Sequence, residues 1–479
     1  ASLGGVVNTL LLPWQWTGAT QLMLGNYEHN SDVYYQGQIG AVTLPVETDY
    51  YNLKRGFWAS SDMMYRYSVG FLAQKDSYLK ANPLPADFAA LPDMQQLPAA
   101  TSIAEREKPY DLDIKEMEEL AADLSAVFKE YKDIYNSSVI VNGTELDIYR
   151  LTTEGLKLKS PQGLVSLIVS AEVRTDDGMT LSDSYSISVG TPGELPSAEE
   201  LEKEVRGFAD RLLRLKSAPL VEETYNGPVL FEGSAVSRIF RNNLLERGKL
   251  VAVRNLAPAS GTLEDQFGKQ IIDKRLGVKN YTALEEYAGE SLWGHYGVDA
   301  DGVVPAKEMT LVEGGVLKAL LNGRYPTLKA PATTGSSKFS LEPTNLTATP
   351  LFGTAHVTVE KGTAPEKMKK ALLKAAKAAG LDYAYMVRRI AGAVSEVWRV
   401  SVKDGTETQV RVLKLEVPKQ DKLMSLGVIS SGERVYNFLQ SDSPVSLICP
   451  EGMVVNGVEL PRAVSQPEQA PAIPSPLQR

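Results

Sequence analysis

The sequence predicts an α+β N-terminal half, with helices packed on an antiparallel sheet, followed by a β-rich C-terminal half that is barrel-like or a sandwich. Three observations carry this. Two helical patterns, Asp49–Lys80 and Asp111–Tyr131, hold apolar residues three and four apart. Runs of β-forming residues between Ser137 and Val189 are punctuated by Asn142-Gly143 and Asp177-Gly178, dipeptides that suit tight hairpin turns. Beyond Tyr225 short strand-like runs dominate, and strands do not alternate regularly with helices as they would in a βαβ fold. A chain of 479 residues fits two or three domains. We divide it into residues 1–220, residues 221–465 and a Pro-rich tail, 466–479, expected to be disordered.

The elements follow in order. Residues 1–48 alternate as strands, broken by Gly25-Asn26, Gly37 and Gly40. The first helix stops at Asn82-Pro83, because the residue before proline is pushed away from helical geometry. Residues 83–109 carry five prolines without periodicity and read as a surface connection. The second helix buries Met117, Leu120, Ala121, Leu124, Val127 and Phe128. Strands are expected at Ser137–Asn142, Thr144–Thr153, Leu156–Ser160, Leu164–Thr175 and Thr180–Val189. Ser197 with Glu200 forms a capping box for a helix to Leu215. Pro228–Phe231 is a strand that runs into a helix over 233–247. A hairpin turns at Glu313-Gly314-Gly315, and a helix covers Pro365–Ala379 with Gly380 beyond its end. The last strands are Tyr383–Ile390, Val397–Lys403, Thr408–Glu416 and Ser446–Val455.

Composition excludes several classes. Hydrophobic residues make up 43% and charged residues 23%, as in soluble globular proteins. A net charge of −9 argues against a nucleic-acid surface, which needs clustered Lys and Arg. No apolar run is long enough to span a bilayer. A soluble protein is expected, with the compartment, exported to the periplasm or cytoplasmic, left open. The first residue is not Met, and ASLGGVVNTLLL reads as a strand entered part-way, so a processed or trimmed N-terminus is expected. The single cysteine, Cys449, sits among apolar residues and reads as a buried thiol.

Motifs for chemistry are few. His29, His295 and His356 lie far apart, and neither HExxH nor Cys-x-x-Cys occurs. Asp299-Ala300-Asp301-Gly302 resembles the start of a calcium loop, but position 12 is Thr310, so a β-turn is expected. GxSxG and the phosphate-binding glycine motifs are missing. Lys367, Lys370, Lys374 and Lys377 form one solvated helix face. The polar loop Leu328–Phe339 and the neighbouring hairpin Thr310–Leu321 are the candidate peptide-binding elements, with Thr334, Gly335, Ser336 and Gly315 as substrate-binding residues.

Five stretches in a shared order resemble the TldD/PmbA family, once called candidate modulators of DNA gyrase, and its TldD-related metallopeptidase subgroup. They are residues 44–75, NGPVLFEGSAVSRIF (226–240), the block 299–337, GLDYAYMVRRI (380–390) and SLICPEGMVVNGVELPR (446–462). The resemblance implies an α+β domain, a β-rich domain and a dimer enclosing a cleft. In active members a strand and helix carry HExxxH and bind zinc. Here the equivalent residues read EGSAVS or GSAVSR, without histidine, and Glu232 falls on or beside the first lost ligand. The expectation is therefore a TldE-like bacterial pseudoenzyme without cofactor, zinc belonging to active relatives only. It would bind a peptide or unfolded polypeptide as a homodimer, or as a heterodimer with a zinc-bearing TldD-like paralogue, away from nucleic acid and membrane. Two alternatives stay open. One is an active metallopeptidase with a rearranged site drawn from Glu232, His295 and Glu308. The other is a scaffold without ligand.

Overall fold

The computed structural model describes residues 17–22, 27–28, 38–43, 49–107, 109–254, 262–342 and 348–465. The strand expected at 1–12, His29, the breaks at Gly25-Asn26 and Gly37, and the tail 466–479 lie outside the described residues.

Strands β1 (Thr17–Leu22) and β2 (Gln38–Thr43) pair antiparallel and carry α1 (Tyr50–Ala81). The Asp49 carboxylate caps α1 by accepting from Tyr51 N at 2.8 Å. Ser60, Met64 and Ser68 form its narrow buried seam, at helical spacing, while Trp58 and Tyr65 stay exposed. The following Pro-rich segment is more than a surface connection. Phe88, Asp93 and Met94 are buried, and β3 (Thr101–Ile103) joins a sheet. Contacts with distant residues hold this segment, such as Arg254 over the Phe88 ring and Gln95 N donating to Arg324 O, so its own sequence needs no periodicity.

Helices α2 (Ile114–Ala126) and α3 (Ala198–Ser217) cover a sheet of β3, β4 (Ile134–Leu151), β5 (Lys157–Arg174) and β6 (Thr180–Val189). All its pairs are antiparallel except β3 with β5. The Ser197–Glu200 capping box forms, each side chain bonding the other residue's backbone N–H. The expected turn at Asn142-Gly143 does not. These residues continue β4, opposite Ser166 and Val165. Gly143 is needed for close packing: a Cβ there would lie 2.8 Å from Leu112 Cδ2. The strand reverses instead at Thr152–Leu156, where Thr152 N donates to Leu156 O. Asp177-Gly178 does turn the chain, with Gly178 at φ 83°.

The rest of the chain supplies β7 (Tyr225–Glu232), α4 (Ser234–Phe240), β8 (Leu276–Tyr281), β9 (Glu308–Glu313), β10 (Val316–Leu317) and β11 (Thr354–Val359). It continues with α5 (Met368–Ala378), β12 (Tyr383–Arg389), β13 (Glu396–Ser401), β14 (Glu407–Val410), β15 (Glu433–Gln440), β16 (Ser443–Pro450) and β17 (Gly452–Leu460). One sheet runs β14-β13-β12-β7-β17 and the other β10-β9-β8-β11-β16-β15. Neither closes on itself, which removes the barrel-like alternative. Val229 and Phe231 from one sheet share a core with Val278, Ala355 and Leu447 from the other, as in a sandwich. β7 is buried on both faces: Leu230 points to Met368, Leu372 and Ala376 of α5, while Val229 and Phe231 enter the main core. That explains the continuous apolar run Pro228–Phe231, unlike an alternating strand.

The single strand expected at Ser446–Val455 is two strands in different sheets, β16 and β17, with Glu451 at the crossing. The apolar residues on both sides disguise the break, which Pro450 and Gly452 mark. Among the described residues no helix is long and apolar enough to cross a membrane.

Candidate functional site

The strand-to-helix junction after β7 opens onto a cavity of about 420 Å³. Glu232 ends the strand, and Gly233 turns the chain into α4 at φ 58° and ψ −132°. Gly233 N donates to Glu451 O at 3.0 Å, and Ser234 Oγ donates to Arg388 O at 3.2 Å. The junction is thereby tied to the β16–β17 crossing and to the end of β12. Both of its elements are anchored below by Phe231, Val236 and Phe240, all inaccessible to solvent.

Four charged side chains line the cavity: Glu232, Arg388, Arg434 and Glu451. Arg388 Nε lies 3.6 Å from Glu232 Oε2, while its Nη2 donates to Glu407 Oε2 at 3.2 Å. Its guanidinium stacks on the Trp398 ring, and Lys369 Nζ holds the other Glu407 oxygen at 2.6 Å. Arg434 Nε lies 3.6 Å from Glu451 Oε2. Burial pushes the Glu232 carboxyl above its ordinary pKa; Arg388 opposes the rise, and the negative charges of Glu407 and Glu451 add to it. Gly432 sets the place of Glu451, because a Cβ there would lie 2.6 Å from Glu451 Oε1 and 2.8 Å from Pro365 Cγ.

This donor set does not fit catalytic zinc, which takes about three protein ligands, usually His, Cys or carboxylate. Two carboxylates reach the cavity, each facing an arginine, and neither histidine nor cysteine lines it. Among the described residues no three His, Cys, Asp or Glu side chains come together to hold a metal ion.

The structure disperses the other candidates. Glu308 pairs with Lys279 Nζ at 2.5 Å on the outer face of β9 and β8. His295 Nδ1 lies 3.0 Å from Leu292 O. Neither lines the cavity with Glu232. His356 bonds Glu433, which also accepts from the Tyr287 hydroxyl, and Cys449 is fully buried. The polar loop is folded on itself. Thr334 Oγ1 accepts from Asn322 N at 2.8 Å and meets Ser336 Oγ at 2.7 Å, while Gly335 O accepts from the Tyr296 hydroxyl. Gly315 N donates to Leu276 O in its hairpin turn. These four residues bond within the protein and do not line the cavity. Arg388, Arg434 and Glu451 were missed by sequence reasoning; the break at Pro450-Glu451-Gly452 was the one local signal for them.

The expected turn at Asp299–Gly302 forms and carries a titration of its own. Asp299 is 2% exposed and accepts from the backbone N–H of Asp301, Val303 and Ser337. Burial, and then the neighbouring Asp301 charge, push its carboxyl up to about 6. A carboxyl pKa raised on folding contributes stability that is full below the unfolded value near ~4 and lost as pH rises through the folded value. Carbon-detected NMR of the Asp299 carboxyl should give a midpoint near 6; a midpoint near 4 would contradict the burial argument.

Residues 224–405 match the family model described as the PmbA/TldA metallopeptidase C-terminal domain. No curated protein matches the sequence. Solved structures that share the fold include the following three. TldE from Thermococcus kodakarensis is 14% identical over 93% of this chain and 95% of that one, with a TM-score of 0.52. A candidate modulator of DNA gyrase from Bacteroides thetaiotaomicron is 15% identical over 91% and 87%, with a TM-score of 0.50. Another from Thermotoga maritima is 17% identical over 75% and 79%, also at 0.50. The two open sheets and the strand-to-helix cavity lie largely in the part of the chain that this metallopeptidase C-terminal domain model matches. The sequence likeness to that family thus lies in residues 224–405, and the likeness to the solved structures is one of fold.

Proposed function

We propose that this chain is a metal-free, peptide-binding member of the TldD/PmbA family. It works as a homodimer, or as the non-catalytic partner of a zinc-bearing TldD-like paralogue in proteolysis or peptide maturation. The observation that carries this reading is the cavity after β7. It is kept open at the junction where the family's metal motif would stand, yet its charged groups are two carboxylates faced by two arginines. Such a set supplies hydrogen-bond donors and acceptors for a peptide main chain and lacks the ligands to activate water on a metal.

The test is a titration of a permanently unfolded polypeptide into the purified protein, with and without a strong chelator. Saturable binding that the chelator leaves unchanged, with the polypeptide intact afterwards, is expected. Cleavage that the chelator abolishes would overturn the reading and restore the rearranged-peptidase alternative.

A further inference from the structure

We propose that the cavity after β7 receives the free amino terminus of a peptide, its ammonium group lying between Glu232 and Glu451. The inference rests on the peptide-binding reading above and names the chemical group that the site selects.

Depth comes first. The side chains of Glu232 and Glu451 are 30% and 25% exposed, against 37% for Arg388 and 62% for Arg434. Glu451 lies well below Arg434, while Glu232 is only slightly more covered than Arg388; the carboxylates are the floor and the guanidinium groups the rim in this sense. Pairing comes second. Charge-assisted bonds between nitrogen and carboxylate run at about 2.7–2.9 Å. Both arginines stand 3.6 Å from the floor carboxylates, and Arg388 already donates to Glu407 and stacks on Trp398. Each floor carboxylate therefore keeps acceptor capacity toward the cavity. Burial raises the pKa of Glu232 in spite of Arg388, and the charge of Glu451 adds to the rise, which places the two carboxylates within each other's field.

An ammonium group suits this floor. It is a compact charge with three donors, enough to bond both carboxylates at once. The rim arginines are then placed to donate to carbonyl oxygens of the residues that follow. Pro365 and Met368 supply apolar wall for the first side chain. A peptide's carboxyl end fits poorly, since it would lie against two like charges on the floor. A divalent metal finds only two donors. Gly432 belongs to the arrangement as a positioning residue: alanine there would displace Glu451.

The experiment is calorimetric titration of the full chain with one short alanine–serine peptide in three forms: free, N-acetylated and C-amidated. Acetylation should weaken binding at least about tenfold, because it removes the charge and leaves buried carboxylates unpaired. Amidation should leave the Kd unchanged. The double variant Glu232→Gln/Glu451→Gln should bind the free and acetylated forms equally, and Gly432→Ala should narrow their difference. If these variants do not fold, the comparison of peptides on the unmodified protein decides alone. Equal binding of free and acetylated peptide overturns this inference and spares the peptide-binding reading. Loss of binding on amidation overturns it in favour of a carboxyl-end site. Failure of all three forms to bind overturns both.

Discussion

Phe231→Ala is expected to lower the unfolding free energy by about 3–5 kcal/mol, the usual cost of emptying a buried aromatic position. Phe231 is inaccessible to solvent and stands between Val387 of β12 and Met453 of β17, its register partners on either side. It also belongs to the core that both C-terminal sheets share. A cavity there cannot be filled from one side alone, because the neighbouring strands are fixed by their own ladders. The next residue is Glu232, so the same substitution should weaken peptide binding at the junction. Urea unfolding checks the first effect. The midpoint should fall while the slope stays unchanged, as for a loss of stability without a change in the surface exposed. A loss below about 1 kcal/mol would mean that this core is not what holds the junction.

Glu154→Ala is expected to cost about 3–5 kcal/mol, because it leaves a buried guanidinium without its counter-charge. Arg324 Nη2 donates to Glu154 Oε1 at 2.8 Å, and the two side chains are 3% and 14% exposed. Gln95 O would remain as a neutral acceptor. The pair links the turn after β4 to the C-terminal half, and the Tyr27 hydroxyl also donates to Glu154. The pH dependence separates this from a packing defect. Burial pushes the Glu154 carboxyl up, but the hydrogen bond and charge of Arg324 outweigh it, and the net pKa lies below the ordinary value. A depressed folded pKa gives stability that is present above the unfolded value and lost as pH falls through the folded one. The gap between Glu154→Ala and the unmodified protein should therefore be full at pH 7 and narrow below about pH 4. A gap independent of pH would contradict the ion-pair account.

Local chemistry was legible in the sequence. The capping box at Ser197 and the turn at Asp177-Gly178 both satisfy backbone groups with nearby residues, so their signals lie within a few positions. Asn142-Gly143 carries an equally strong turn signal and yields a straight strand. The deciding contacts, Tyr110 and Leu112, sit in another segment. The sheet order was hidden for the same reason, since β7 pairs with β12 and β17 from far along the chain. At the site, only Glu232 was legible, through the family's strand and helix. Arg388 and Glu451 reach the cavity through that pairing and Arg434 through β15 of the other sheet, and the break at Pro450-Glu451-Gly452 is the one local sign of it. The Thr334–Ser336 loop shows how folding changes what a polar stretch offers. Its hydroxyl and amide groups look available in the sequence, but they close onto Asn322, Tyr296 and each other.

We propose that the two carboxylates and two arginines lining the cavity after β7 stand in place of a metal site. Elemental analysis of the purified, zinc-exposed and then desalted protein tests this most directly. Substoichiometric zinc, with peptide binding intact, is the predicted result. One tightly held zinc per chain, lost together with a peptide-cleaving activity on chelation, would contradict it.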